Sequence, residues 1–283
     1  MFKTFIAVLA FGAAASAASA QDTAQGDPSQ GTGPLPPNVA PAPTPICTDR
    51  PTKATVACTV PKGAFQIETD IASWTRESAD GTRTDTILYT NPTLKYGITK
   101  RTDIEVNIAP WETVATRTGT QTDRIGGVGD LYLRVKQRLT TDTSKTQVSL
   151  IPFVKAPTAR TGIGNGRWEG GVAAAVNIPL PQHITLSVGP EVDVLADQAG
   201  SGYHAGIIGF INISHSLLKD VNVFAELWSN QEFDPAGTRH QYSVDVAAAW
   251  QLTTALQFDA GANIGLNDDT PRHQLYVGVS TRF

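Results

Sequence analysis

Methionine occurs once in the 283 residues, at position 1, and cysteine only twice. Charge is sparse as well: 17% of positions carry it, with 22 Lys and Arg against 26 Asp and Glu, for a net charge of −4. Without a basic surplus to gather phosphates, a nucleic-acid partner is excluded. Beyond the first twenty residues no apolar run reaches the roughly 18 positions that a spanning helix needs, so an integral helical membrane protein is excluded too. Five histidines without paired ligand spacing and only two cysteines give no support to a metal site, and no cofactor is expected. What is present is glycine (25), proline (18) and Thr and Ser throughout, a composition of strands and turns.

The first twenty residues read as an export signal. Lys3 supplies the positive charge, Phe5 to Ala15 an apolar run, and Ala18-Ser19-Ala20 a small-x-small cleavage site. The mature chain then begins at Gln21, with a net charge of −5 once Lys3 is gone. Residues 21–46 are rich in Pro, Gly, Gln and Thr and predict an extended, solvated periplasmic linker. Residues 47–61 form a lead-in carrying both cysteines; in an oxidising compartment Cys47 and Cys58 are expected to pair and close a short loop.

From residue 62 to 283 the pattern is one of period 2. Ile104, Val106 and Ile108 alternate with Glu105 and Asn107, and Leu131, Leu133 and Val135 alternate with Tyr132, Arg134 and Lys136. Strands of this kind have one apolar and one polar face. Twelve are predicted, at 64–75, 86–98, 102–112, 128–140, 146–157, 168–179, 183–195, 203–217, 221–232, 240–252, 255–266 and 273–283. Tight links near 99–101, 141–143, 181–182, 219–220 and 253–254 alternate with longer ones near 76–85, 113–127, 158–167, 196–202, 233–239 and 267–272. An even strand count with short turns at one end and long loops at the other predicts an all-β fold, a transmembrane antiparallel barrel of the cell outer membrane, with both chain ends periplasmic. A soluble β-sandwich has the same period with its faces reversed, so alternation alone leaves it open.

Trp74, Trp111, Trp168 and Trp228 near loop-side strand ends, and Trp250 near a turn-side end, are expected in aromatic girdles. The terminal Phe283, in register with Leu275, Val277 and Val279, is similar to the signal read by the barrel assembly machinery. Pro92, Pro152 and Pro190 fall inside predicted strands, where bulges are expected to absorb them.

Two stretches, Asp49-Arg50-Pro51-Thr52 and Val60-Pro61-Lys62-Gly63-Ala64-Phe65-Gln66-Ile67-Glu68, resemble the approach to the first strand in the bacterial family named for the MetA pathway of phenol degradation. So do GVGDLYLRVKQRL at 127–139 and Pro152-Phe153-Val154-Lys155-Ala156-Pro157-Thr158. The resemblance spans Asp49 to Phe283 and implies an outer-membrane transporter of aromatic or other hydrophobic compounds, surrounded by lipid. It carries no site residues with it.

The polar faces supply candidate lumen-lining residues. Arg134, Lys136 and Arg138 lie on the fourth predicted strand and Lys155 on the fifth; Glu226, Asp245 and Asp259 lie on the ninth, tenth and eleventh. In a ring of twelve, strand four faces strand ten, so a basic wall would oppose an acidic one and set a field across a pore. The other arrangement is that these charges pair and fill the interior. No catalytic residues are predicted, because His215 and its neighbours Ser214 and Ser216 point to opposite faces. The reading is passive passage of a small-molecule permeant, with an outer-membrane lipid hydrolase and a secreted β-sandwich binding module as the alternatives.

Overall fold

A segment with one apolar and one polar face is stable only in a sheet whose two sides meet unlike surroundings. In the computed structural model, which describes residues 44–79 and 81–283, all regular structure is β. The export signal and the linker as far as residue 43 lie outside the described residues. The strands are β1 (Phe65–Ala79), β2 (Thr82–Thr90), β3 (Thr93–Gly97), β4 (Thr102–Ile108), β5 (Trp111–Thr118), β6 (Gln121–Gly127), β7 (Leu131–Arg138) and β8 (Gln147–Ala156). They continue as β9 (Glu169–Leu180), β10 (Ile184–Ala196), β11 (Tyr203–Leu218), β12 (Val221–Glu232), β13 (Arg239–Thr253), β14 (Leu256–Gly265) and β15 (His273–Arg282).

Every strand pairing is antiparallel, and β15 pairs with β1 from Gln66 opposite Arg282 to Arg76 opposite His273, which closes the barrel. Three staves are each broken in two: β2 and β3 at Asn91-Pro92, β4 and β5 at Ala109-Pro110, and β6 and β7 at residues 128–130. The fifteen strands therefore make twelve staves. Proline has no N–H for the ladder, so two of the breaks fall where the chain cannot donate.

Pro152 and Pro190 behave differently from expectation. No bulge forms at either; the ladder keeps its register and skips pairs, between Arg134–Phe153 and Gln137–Leu150 in one case and between Val188–Val176 and Glu191–Ala173 in the other. The β1 register shifts instead between Asp70 and Ala72, and the β2 register between Leu88 and Thr90. Two of the expected long links are also strand. Ala79 pairs with Thr82 and Thr118 with Gln121, so each hairpin has two residues between its paired ends, with Gly81 (φ 74°) and Gly119 (φ 60°) at the turns. An Asp-Gly pair is a strong hairpin signal, whereas Thr-rich β5 and β6 have little apolar alternation to reveal them.

The distribution of burial excludes the sandwich. The largest fully buried side chains are Lys136, Gln66, Asp103, Asp245, Ser149, Ser243 and Ser280, all polar. The large exposed side chains include Ile71, Leu94, Leu133, Val154, Val192, Ile211, Leu227, Val246, Leu275 and Val277. A closed sheet in lipid requires this inversion, apolar outward and polar inward. Trp111, Trp168 and Trp250 stand about half exposed on the outer face. Trp228 does not join them: it shares the inward face with Glu226 and Asn230 and lines the lumen.

Candidate functional site: a plug in the lumen

The segment before β1 is folded into the barrel. It enters at the turn end, where Ile46 N–H donates to Thr254 O at 2.8 Å and Arg282 Nη2 donates to Thr44 O at 2.6 Å. It leaves at the same end, where Lys62 bridges to Gly97. Between these points Cys47 and Cys58 are joined by a disulfide, with Cα atoms 6.4 Å apart, so the inserted chain is a closed loop.

Irregular backbone inside a barrel has no ladder of its own and must find acceptors elsewhere. Lumen side chains provide them. Asp49 N–H donates to Glu68 (3.0 Å), Ala54 N–H to Glu226 (3.0 Å), Ala57 N–H to Asn177 (2.5 Å) and Val60 N–H to Asp103 (2.7 Å). Ser149 Oγ donates to the Ala57 carbonyl at 2.5 Å. Ala57 itself is fully buried, packed in a small apolar cluster with Ile151, Ala173 and Ala175. That cluster gives the plug an apolar seat on the inner wall.

The plug also carries charges complementary to the wall on each side. Asp49 takes Lys136 Nζ at 2.6 Å and is in short contact with Lys95, which also reaches Glu68 at 2.8 Å. Arg50 donates to Asp70 (2.7 Å) and Asp259 (2.7 Å), and Lys53 Nζ lies 3.4 Å from Asp245 and 4.0 Å from the centre of the Trp228 ring. At Gly278 the barrel backbone comes so close to Arg50 that a Cβ would lie 2.0 Å from Nη2. Burial raises the Asp49 carboxyl, but the Lys136 and Lys95 ammonium groups outweigh it and hold Asp49 well below the usual carboxylate range. Burial pushes Lys53 below its ordinary value, with Asp245 and Glu226 acting in the opposite sense.

The candidate lumen residues thus all point inward, but the two walls do not face each other across open space. Lys136 is matched by Asp49 on one side, and Asp245 and Asp259 by Lys53 and Arg50 on the other. Glu226 accepts the Ala54 N–H and the Asn212 amide at 3.0 Å. Arg138 sits at the turn end against Asp142 and the Lys100 carbonyl, and Lys155 at the loop end between Glu169 (2.7 Å) and Asp130 (3.3 Å). Among the described residues, Arg134 has no carboxylate within ion-pairing distance. It faces a chamber of about 350 Å³ above the plug, lined also by Lys53, Phe153, Glu191, Phe210 and Trp228.

By sequence, residues 47–61 are a lead-in, and nothing in their spacing singles out Asp49, Arg50 and Lys53 as lumen residues. Their signs, set between two cysteines in an otherwise uncharged Pro- and Thr-rich stretch, are the available clue. Sequence spacing also gives no sign of a cluster at the opposite end, where His204 Nδ1 lies 2.9 Å from Asp197 and 3.5 Å from Asp234. His215 pairs with Ile184 on the outer face, while Ser214 and Ser216 point inward, so these three assemble no dyad.

A family model described as "Putative MetA-pathway of phenol degradation" matches residues 48–283. Among solved structures, the chain is similar to the COG4313 outer membrane channel from Pseudomonas putida F1, at 13% identity and a TM-score of 0.64, covering 80% of this chain and 98% of that one. It is also similar to the NanC porin, at 7% identity and a TM-score of 0.51, covering 76% of this chain and 98% of that one. These likenesses concern the fold. No curated protein sequence matches the chain.

Proposed function

This chain belongs to the MetA-pathway of phenol degradation family, and from that premise we propose that it is an outer-membrane channel for passive passage of small aromatic or other hydrophobic compounds, kept shut by its own N-terminal loop. The observation that carries the reading is the plug itself: a disulfide-closed loop, inserted from one end, whose charges match those of the wall. The chamber above it supports the permeant class. Phe153, Phe210, Trp228 and Ile151 offer apolar contact, while Arg134, Lys53 and Glu191 keep part of the wall polar. A compound with a ring and one polar group meets both kinds of surface there. The tight links at 181–183, 219–220 and 254–255 on the plug side, against 157–168 and 266–272 at the other end, favour a periplasmic position for the plug.

Passage requires the plug to move, and its ion pairs are what must give. Removing one member of a buried pair leaves an uncompensated charge, at a cost of about 3–5 kcal/mol. Arg50→Ala, which leaves Asp70 and Asp259 unmatched, should raise single-channel conductance in planar bilayers and speed uptake of phenol into proteoliposomes. Heat-modifiable gel mobility checks that the barrel has folded. A folded Arg50→Ala protein that neither conducts more than the native chain nor admits phenol faster would refute a gated channel.

A further inference from the structure

The loop end of the barrel carries a second organised cluster. Asp197 follows β10, His204 lies near the start of β11 and Asp234 follows β12, so one nitrogen and two carboxylates converge from three parts of the chain. Their ligand atoms all lie within 4.8 Å of one another, and the three side chains are largely shielded from solvent, at 12%, 6% and 2% exposure. The carboxylates are held from behind. Asp234 accepts the Gln198 N–H at 2.8 Å on one oxygen and the Ala236 N–H at 2.7 Å on the other, and Asp197 is packed on Gly202, where a Cβ would lie 2.2 Å from its Oδ2. A simple His–Asp pair needs only one acceptor; Nδ1 carries at most one proton, yet two carboxylates are aimed at it.

We propose that Asp197, His204 and Asp234 form a divalent transition-metal site at the outer mouth, Zn²⁺ being the ion that one imidazole and two carboxylates suit best. The ion takes Nδ1 of the neutral imidazole, with the ring proton on Nε2. It ties the β10–β11 loop to the β12–β13 loop, because Asp234 from the second loop already bonds Gln198 of the first. The mouth is then clamped at the end opposite the plug. Oxygen-seeking Ca²⁺ gains little from a site that spends one of three ligands on nitrogen.

The test uses the full-length barrel folded in detergent, cleared with a chelator and titrated with Zn²⁺ and separately with Ca²⁺ by calorimetry. One Zn²⁺ per chain is expected, with affinity falling at least about tenfold, or 1.4 kcal/mol, in His204→Ala and in Asp234→Asn. Hydrogen exchange supplies the second readout: Zn²⁺ should slow exchange at residues 197–202 and 233–238 together, in the native chain only. Heat-modifiable mobility confirms that the variants fold. Absence of stoichiometric Zn²⁺ binding, unchanged affinity in both folded variants, or tighter binding of Ca²⁺ than of Zn²⁺ would each overturn the site.

Discussion

Arg134 and Lys136 are two residues apart on one inward face of β7, yet they do different work. Lys136 is 1% exposed, bonded to Asp49 and 3.3 Å from Glu105, so its charge is consumed in seating the plug. Arg134 lines the chamber, and among the described residues no carboxylate comes within ion-pairing distance of it. In the Arg50→Ala background, Arg134→Glu should therefore move the reversal potential across a salt gradient toward cation selectivity, since the field in a pore follows the sign of its lining. The effect should fade at high salt, where screening acts over less than about 8 Å. Lys136→Glu in the native chain should behave otherwise, setting a third carboxylate beside Asp49 and Glu105. Its expected result is a larger conductance from a displaced plug. Equal selectivity shifts and unchanged conductance in both variants would contradict this division.

Among the elements, the plug depends most on its covalent closure. Cys47 and Cys58 are 11 residues apart, and closing a loop of that order removes chain entropy worth roughly 3 kcal/mol from the open state. The isolated loop has no strand ladder, so constraint and wall contacts together hold its shape. The purified protein should show no free thiol until reduced. Reduction should then raise conductance while leaving the barrel resistant to unfolding in detergent, because no stave contains either cysteine. Two thiols reacting without reductant, or a barrel that unfolds on reduction, would count against the assignment. The broken staves are a different case. Pro92 and Pro110 end strands because they cannot donate to a ladder, whereas Pro152 and Pro190 stay within theirs where adjacent pairs are skipped.

For the whole molecule the main question is which way it stands in the membrane. Long links at 157–168, 197–202, 233–238 and 266–272 gather at one end, and the link at 219–220 lies with the plug at the other. An epitope placed within 158–167 should be labelled on intact cells, and one at Lys219-Asp220 only after the outer membrane is breached. Surface labelling at Lys219-Asp220 would invert the molecule and put the plug outside. In that orientation the plug would meet the periplasm and the Asp197–His204–Asp234 cluster, at the opposite end, the external medium.

Much of this architecture is written locally. Period-2 alternation, turn residues and alternating link lengths are properties of neighbouring residues, and they suffice for an all-β barrel of twelve staves with Arg134, Lys136 and Lys155 directed inward. Where local character is weak, strand is not legible, as in the Thr-rich β5–β6 hairpin, and a residue's face can be misleading, as with Trp228, which lines the lumen. The site itself is another matter. Arg50 meets Asp259 across 209 residues and Ala54 meets Glu226 across 172, and neither pairing leaves a trace in spacing. A short charged stretch between two cysteines is equally compatible with a solvated linker. Only a closed barrel with a polar interior makes its insertion favourable, because that interior supplies acceptors and countercharges that water would otherwise provide. The histidine at position 204 likewise gains its two carboxylates only when β11 and the loops after β10 and β12 are brought together, so tertiary structure alone decided what plugs the lumen and what gathers at its mouth.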